Sequence, residues 1–152
     1  MEASSSAGVV SPSSASEFVE RFADAWAASD VDRLLALLAD DVVLKQPMVA
    51  NTVGKASARE AFTRLFVAFR GLTATVHRSA ADGDLLFIEF TLSCSFGGRE
   101  LSWPAVDRFM LRDGLAAERV SYFDALPLLL EILKRPRGWR DLARARLRPS
   151  FG

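Results

Sequence analysis

Residues 85–123 read LLFIEFTLSCSFGGRELSWPAVDRFMLRDGLAAERVSYF, and their rhythm sets the fold. Apolar and polar side chains alternate with a period of two, as in strands that bury one face. The alternation breaks at Gly97-Gly98 and at Asp113-Gly114, and a third hairpin pair, Asp82-Gly83, precedes the stretch. Strands are therefore expected over Leu72–Ser79, Leu85–Phe96, Glu100–Leu111 and Leu115–Phe123. Tight turns join only antiparallel neighbours, because a parallel pair needs a crossover of about a dozen residues. The expectation is a four-stranded antiparallel meander.

Upstream of the meander the period is helical. Phe18, Phe22, Ala25 and Trp26 form one apolar stripe, and Ser14 with Glu17 has the spacing of a capping box. Asp30 is placed to cap a short second helix carrying Leu34, Leu35, Leu37 and Leu38. Asp41–Lys45 reads as a short strand, followed by a loop with Gln46, Pro47, Asn51 and Gly54, then a helix from about Ser57 with Phe62, Leu65, Phe66 and Phe69 inward. Downstream, Asp124 can cap a closing helix whose apolar side is Leu126, Leu128, Leu129, Ile132 and Leu133. Helices first and strands afterwards give an α+β class, with helices covering one face of a curved sheet.

At 152 residues, half of them apolar, the chain is sized for one domain with a substantial core. Residues 1–15 hold six serines and almost no charge, which predicts a flexible leader before a domain over 16–134. Nineteen basic residues offset nineteen acidic ones, so no global charge points to nucleic acid. The distribution is uneven: Lys134 to Arg148 carries six net positive charges and the rest six net negative. Residues 135–152 are read as a solvated, partly helical basic tail that folds back on the acidic body. A single cysteine, Cys94, excludes an internal disulfide and a cysteine-based zinc site and reads as core. No apolar run spans a membrane and the first residues lack a secretory leader's pattern, so a cytoplasmic protein is expected.

Strand parity names the candidate site. In Leu101, Trp103, Ala105, Asp107, Phe109 and Leu111 one carboxylate interrupts an apolar row, and Asp107 is expected to be buried. A buried carboxyl either gains a partner or shifts toward its neutral form, and both core and catalytic carboxyls do this. Leu86 to Phe96 forms an unbroken apolar stripe on alternate residues, a candidate association surface. The only histidine, His77, lacks a metal-ligand constellation and reads as a structural or surface residue. Tyr122 is read as packing, and Trp26 and Trp103 as core or pocket wall. No phosphate loop, paired-cysteine motif or serine elbow is present.

The segments AWAASDVDRLLALLADDVVL, ADGDLLFIEFTL and VDRFMLRDGLAAERVSYFD, in this order, resemble the nuclear transport factor 2-like superfamily. Within it they are most similar to the SnoaL-like branch, with its polyketide cyclases, limonene epoxide hydrolases and ketosteroid isomerases. The resemblance covers residues 16–134 and implies a cone-shaped, curved antiparallel sheet around helices, a deep ligand pocket, and homodimers that would suit the Leu86–Phe96 stripe. Asp107 matches the position of the acid in the isomerase strand. The isomerase tyrosine and base fall on Phe22 and Gln46, the epoxide hydrolase Arg and Asp on Glu89 and Thr91, and the cyclase aspartate on Ser121. None of the three catalytic sets is intact. Parity and resemblance together point Glu89, Thr91, Trp103, Arg119 and Ser121 into the pocket around Asp107, with Phe22, Leu44 and Gln46 as further wall. Arg119 facing inward would hold Asp107 ionised; Arg119 facing outward would leave it a protonated donor.

Three functions fit these residues. One is a cofactor-free acid–base enzyme of isomerase, dehydratase or cyclase type, with Asp107 catalytic, acting on a hydrophobic oxygenated metabolite. The second is a ligand-binding protein without chemistry, and the third a dimeric scaffold with a filled cavity. No metal or cofactor is expected. A cavity of about 300 Å³ or more with Asp107 in its wall would favour the enzyme.

Overall fold

A computed structural model describes residues 12–146. The proposed leader falls largely on residues 1–11, and the end of the basic tail on 147–152, both outside the described residues. Helix α1 runs Pro12–Ala27, so its first turn takes in part of the expected leader and Ser14 lies inside the helix instead of capping it. Proline suits a first turn, where no intrahelical bond requires its missing N–H. The predicted stripe of Phe18, Phe22, Ala25 and Trp26 is buried. Helix α2 is Val31–Leu35, capped by the Asp30 carboxylate, which accepts from the Arg33 N–H. It ends before Leu37, and Leu38 begins strand β1, Leu38–Lys45. A two-residue strand β2, Thr52–Val53, precedes helix α3, Lys55–Ala68.

The meander follows as β3 Arg70–Asp82, β4 Leu85–Phe96, β5 Arg99–Arg112 and β6 Leu115–Tyr122. All three of its pairings are antiparallel. The sheet order is β2-β1-β6-β5-β4-β3, and β1 joins β6 in parallel. The sheet is thus mixed, a correction to a wholly antiparallel reading. The long path from β1 through α3 and the first three meander strands supplies the crossover that parallel pairing needs. Register shifts in β3, at the β1–β6 pair and near Met110 bend the strands. The result is a strongly curved sheet that stays open, because β2 and β3 are edges that do not pair with each other.

The concave face carries the core. Leu86, Ile88, Phe90, Leu92, Cys94 and Phe96 are all buried against the chain's own helices, so the stripe is not an association surface. Phe18 and Phe22 meet Phe109 edge-on at 5.1 and 5.7 Å between ring centroids, locking α1 onto β5. Helix α4, Ala125–Leu133, is capped by Asp124 as expected. A short 3-10 turn, Pro136–Gly138, leads into helix α5, Trp139–Ala145, which packs on α3. Arg70 pairs with Asp141 on α5 at 3.1 Å, and Arg135 donates to the Glu100 carbonyl at 2.9 Å. Packed structure thus continues past residue 134 to Ala145.

Candidate functional site

Pairing across β5, β6 and β1 assembles a polar cluster on the apolar concave face. Directly opposed residues share a face, and so do residues two apart along a strand. Asp107 lies opposite Ser121, and Arg119 is two residues from Ser121. Leu44 lies opposite Arg119 across the parallel pair, which puts Gln46, two further on, beside the same guanidinium. Contacts follow this lattice: the Ser121 hydroxyl donates to Asp107 Oδ1, and Arg119 Nη2 donates to Gln46 Oε1 at 3.0 Å. Arg119 Nε stands 3.8 Å from Asp107 Oδ2, beyond hydrogen-bond reach, and the guanidinium lies 5.5 Å from the Phe62 ring centroid.

Asp107 is 1% exposed and Arg119 6%. Both stand in the wall of a cavity of about 200 Å³ with Gln46, Trp103 and Ser121. Trp26, Phe69, Phe90 and Leu128 supply apolar wall, and Leu142 of α5 contributes from the segment assigned to a tail. Four buried polar atoms of this wall have no hydrogen-bond partner: Asp107 Oδ2, Arg119 Nε, and the indole nitrogens of Trp26 and Trp103. Burial raises the proton affinity of Asp107 above the ordinary carboxylate range, outweighing the opposing pull of Arg119 and the Ser121 hydroxyl. Arg119 therefore faces inward, in ion-pair range of Asp107 but without a hydrogen bond to it. A second cavity of about 470 Å³ shares Gln46, Val49, Leu65 and Arg119 with the first and is bordered by Leu44. The Asp107 cavity alone is smaller than the expected 300 Å³.

Two expected wall residues face the other way. Glu89 lies opposite Val106 and ion-pairs with Arg78 on the convex face at 2.9 Å, and Thr91 Oγ1 is 2.8 Å from His77 Nε2. The reason is register: Phe96 opposite Arg99 at the Gly97-Gly98 turn pairs Asp107 with Ile88, so Ile88, Phe90 and Leu92 share its face. Counting back from that turn would have found Phe90 and Leu92 and turned Glu89 out. Phe22 packs behind Phe90, 5.4 Å between centroids, as core. Tyr122, expected to pack, is 53% exposed on the convex face. His77 is an exposed, hydrogen-bonded residue, and burial pushes the Cys94 thiol up to about 11, as befits core. Among the described residues no group of three or more His, Cys, Asp or Glu could hold a metal.

A SnoaL-like domain family model matches residues 19–119. The chain belongs to the SnoaL-like domain family. No curated protein matches its sequence. Solved structures similar to this SnoaL-like domain include a polyketide cyclase candidate from Jannaschia sp. CCS1, at TM-score 0.72 and 23% identity, covering 81% of this chain and 95% of that one. An LEH-like epoxide hydrolase from M. tuberculosis superposes at TM-score 0.67 and 24% identity, covering 82% and 92%. A protein of ketosteroid isomerase-like fold from Catenulispora acidiphila DSM 44928, in complex with trimethylamine, gives 0.69 and 19%, covering 83% and 93%. At these identities the likeness carries the fold, while chemistry must come from the site.

Proposed function

We propose that this SnoaL-like protein is a small-molecule pocket protein and a cofactor-free acid–base enzyme, with Asp107 as its catalytic group. Apart from the Arg119 guanidinium, Asp107 is the only ionisable residue in the wall of its cavity among the described residues. This is the observation that carries the reading. With one group able to exchange a proton, the fitting chemistries are those in which a single carboxyl both gives and takes it: isomerisation, dehydration or cyclisation of an apolar, oxygenated molecule. Oδ2 is the working atom, because Oδ1 is engaged by Ser121. Gln46, Trp103 and Ser121 orient the substrate, and the neighbouring apolar side chains exclude water.

The test is deuterium incorporation from heavy water into a panel of apolar, enolisable cyclic ketones, followed by NMR. The protein should accelerate exchange for at least one of them, and Asp107→Asn should lower that rate by about 10²- to 10⁴-fold with little change in Tm. Equal exchange in the variant ends the catalytic assignment. Ligand binding without chemistry is the second reading, favoured because no second carboxyl, histidine or other titrating group lines the cavity beside Asp107 among the described residues. It predicts that every ketone that binds is recovered without deuterium.

We further propose a cytoplasmic homodimer formed through the convex face. Phe87, Met110 and Tyr122 are 38%, 40% and 53% exposed there, rimmed by the Arg78–Glu89 and Lys45–Glu118–Arg108 ion pairs. Sedimentation velocity should give a dimer for the native chain and a monomer for Phe87→Glu. A native monomer at high protein concentration would refute the pairing.

A further inference from the structure

We propose that the pocket takes an apolar molecule bearing one carboxylate, and that Arg119 receives that carboxylate. This rests on reading the cavity as a small-molecule site and narrows the class of molecule. The argument begins with charge. The Arg119 guanidinium is a permanent cation, and its side chain is 8% exposed. A cation taken that far from water requires compensation. Around it stand the Gln46 amide oxygen at 3.0 Å, the face of Phe62, and Asp107 Oδ2 in ion-pair range at 3.8 Å but without a hydrogen bond. Its Nε has no hydrogen-bond partner. Burial also works against the ionised form of the Asp107 carboxyl.

Hydrogen-bond chemistry gives the same sign. The unpartnered polar atoms of the wall comprise three N–H donors, from Arg119, Trp26 and Trp103, and one carboxyl oxygen, Asp107 Oδ2. Once Asp107 is neutral, it too can donate. In such a wall unpartnered donors outnumber acceptors three to one, and one of the donors is a cation. A ligand that fits must bring acceptor oxygens and one negative charge, attached to a body that packs against Phe69, Phe90, Leu92 and Leu128. The approach has the same bias. Arg119 also borders the larger cavity, whose wall holds Arg64 and Arg146 against one carboxylate, Glu60, itself paired with Arg64. Positive walls of this kind draw anions inward.

Matched acid–amide pairs test this in the full chain: naphthoic acid against naphthamide, and phenylbutyric acid against its amide. Binding is read by calorimetry and by quenching of Trp26 and Trp103 near neutral pH. At least one acid should bind about ten- to a hundredfold tighter than its amide, the range for a charge-assisted hydrogen bond. Arg119→Gln should abolish the preference while leaving amide affinity within about twofold. Should that variant not fold, Arg119→Lys, which keeps the charge, should retain the preference. An amide that binds as well as its acid overturns the carboxylate assignment and leaves the pocket reading standing. Failure of every acid and every amide to bind overturns the pocket reading and this one together.

Discussion

Asp107 has one oxygen held by the Ser121 hydroxyl and the other facing an arginine it does not touch. Its proton affinity is raised chiefly by burial. The consequence for stability has a definite sign. A carboxyl bound more tightly to its proton in the folded state than in the unfolded one stabilises fully at pH values below its ordinary 3.8. That contribution is lost as pH rises from there through the folded value. Asp107→Asn removes the titration while keeping an oxygen that can accept from Ser121. Urea unfolding of both proteins from acid to neutral pH should therefore show the variant gaining on the native chain as pH rises, the other carboxylates cancelling between them. If the native chain gains instead, Asp107 is ionised and fully paired with Arg119.

At the scale of elements, the site depends on two placements. The first is hairpin register: a two-residue turn at Gly97-Gly98 aligns twelve residues of β4 with β5, and a slip of one would turn Asp107 to solvent. The second is α5, which brings Leu142 to the cavity. Gly138, at the entry to α5, lies against the Phe96 ring so closely that an added Cβ would overlap it. Its backbone is ordinary, φ −76, so the constraint is steric and not conformational. Gly138→Ala should destabilise by about 1–3 kcal/mol, as overpacking does, measured by urea unfolding. Displacement of α5 should also weaken ligand quenching of Trp26 and Trp103, while an unaltered Tm and unaltered quenching would show that α5 is not seated on Phe96.

Across the whole molecule, an open curved sheet with helices on its concave side gives the chain two unlike surfaces. The concave side combines an aromatic core with the polar cluster of Asp107, Arg119, Ser121 and Gln46. The convex side carries ion pairs around Phe87, Met110 and Tyr122. Burial on one side creates the low-dielectric surroundings that shift Asp107, and the other side leaves Phe87, Met110 and Tyr122 partly exposed. The separation follows from sheet geometry, because each strand presents alternate residues to opposite sides.

Much of this was written in local sequence. The meander is legible because turn pairs and alternation are short-range signals: Asp82-Gly83, Gly97-Gly98 and Asp113-Gly114 mark three hairpins, and Asp30 and Asp124 cap the helices they precede. The burial of Asp107 was legible too, since a lone carboxylate in an apolar row must share the fate of its neighbours. Parity alone does not say which row of β4 faces it; cross-strand register does, and it turns Glu89 and Thr91 to the convex side. Only tertiary structure brought β1 parallel to β6, so that Gln46 meets Arg119 across 73 positions of chain. It alone showed that Leu142 belongs to the cavity and that Asp107 and Arg119 face each other without a hydrogen bond. Contacts between distant segments are set by how helices and sheet share a limited volume, which periodicity does not encode.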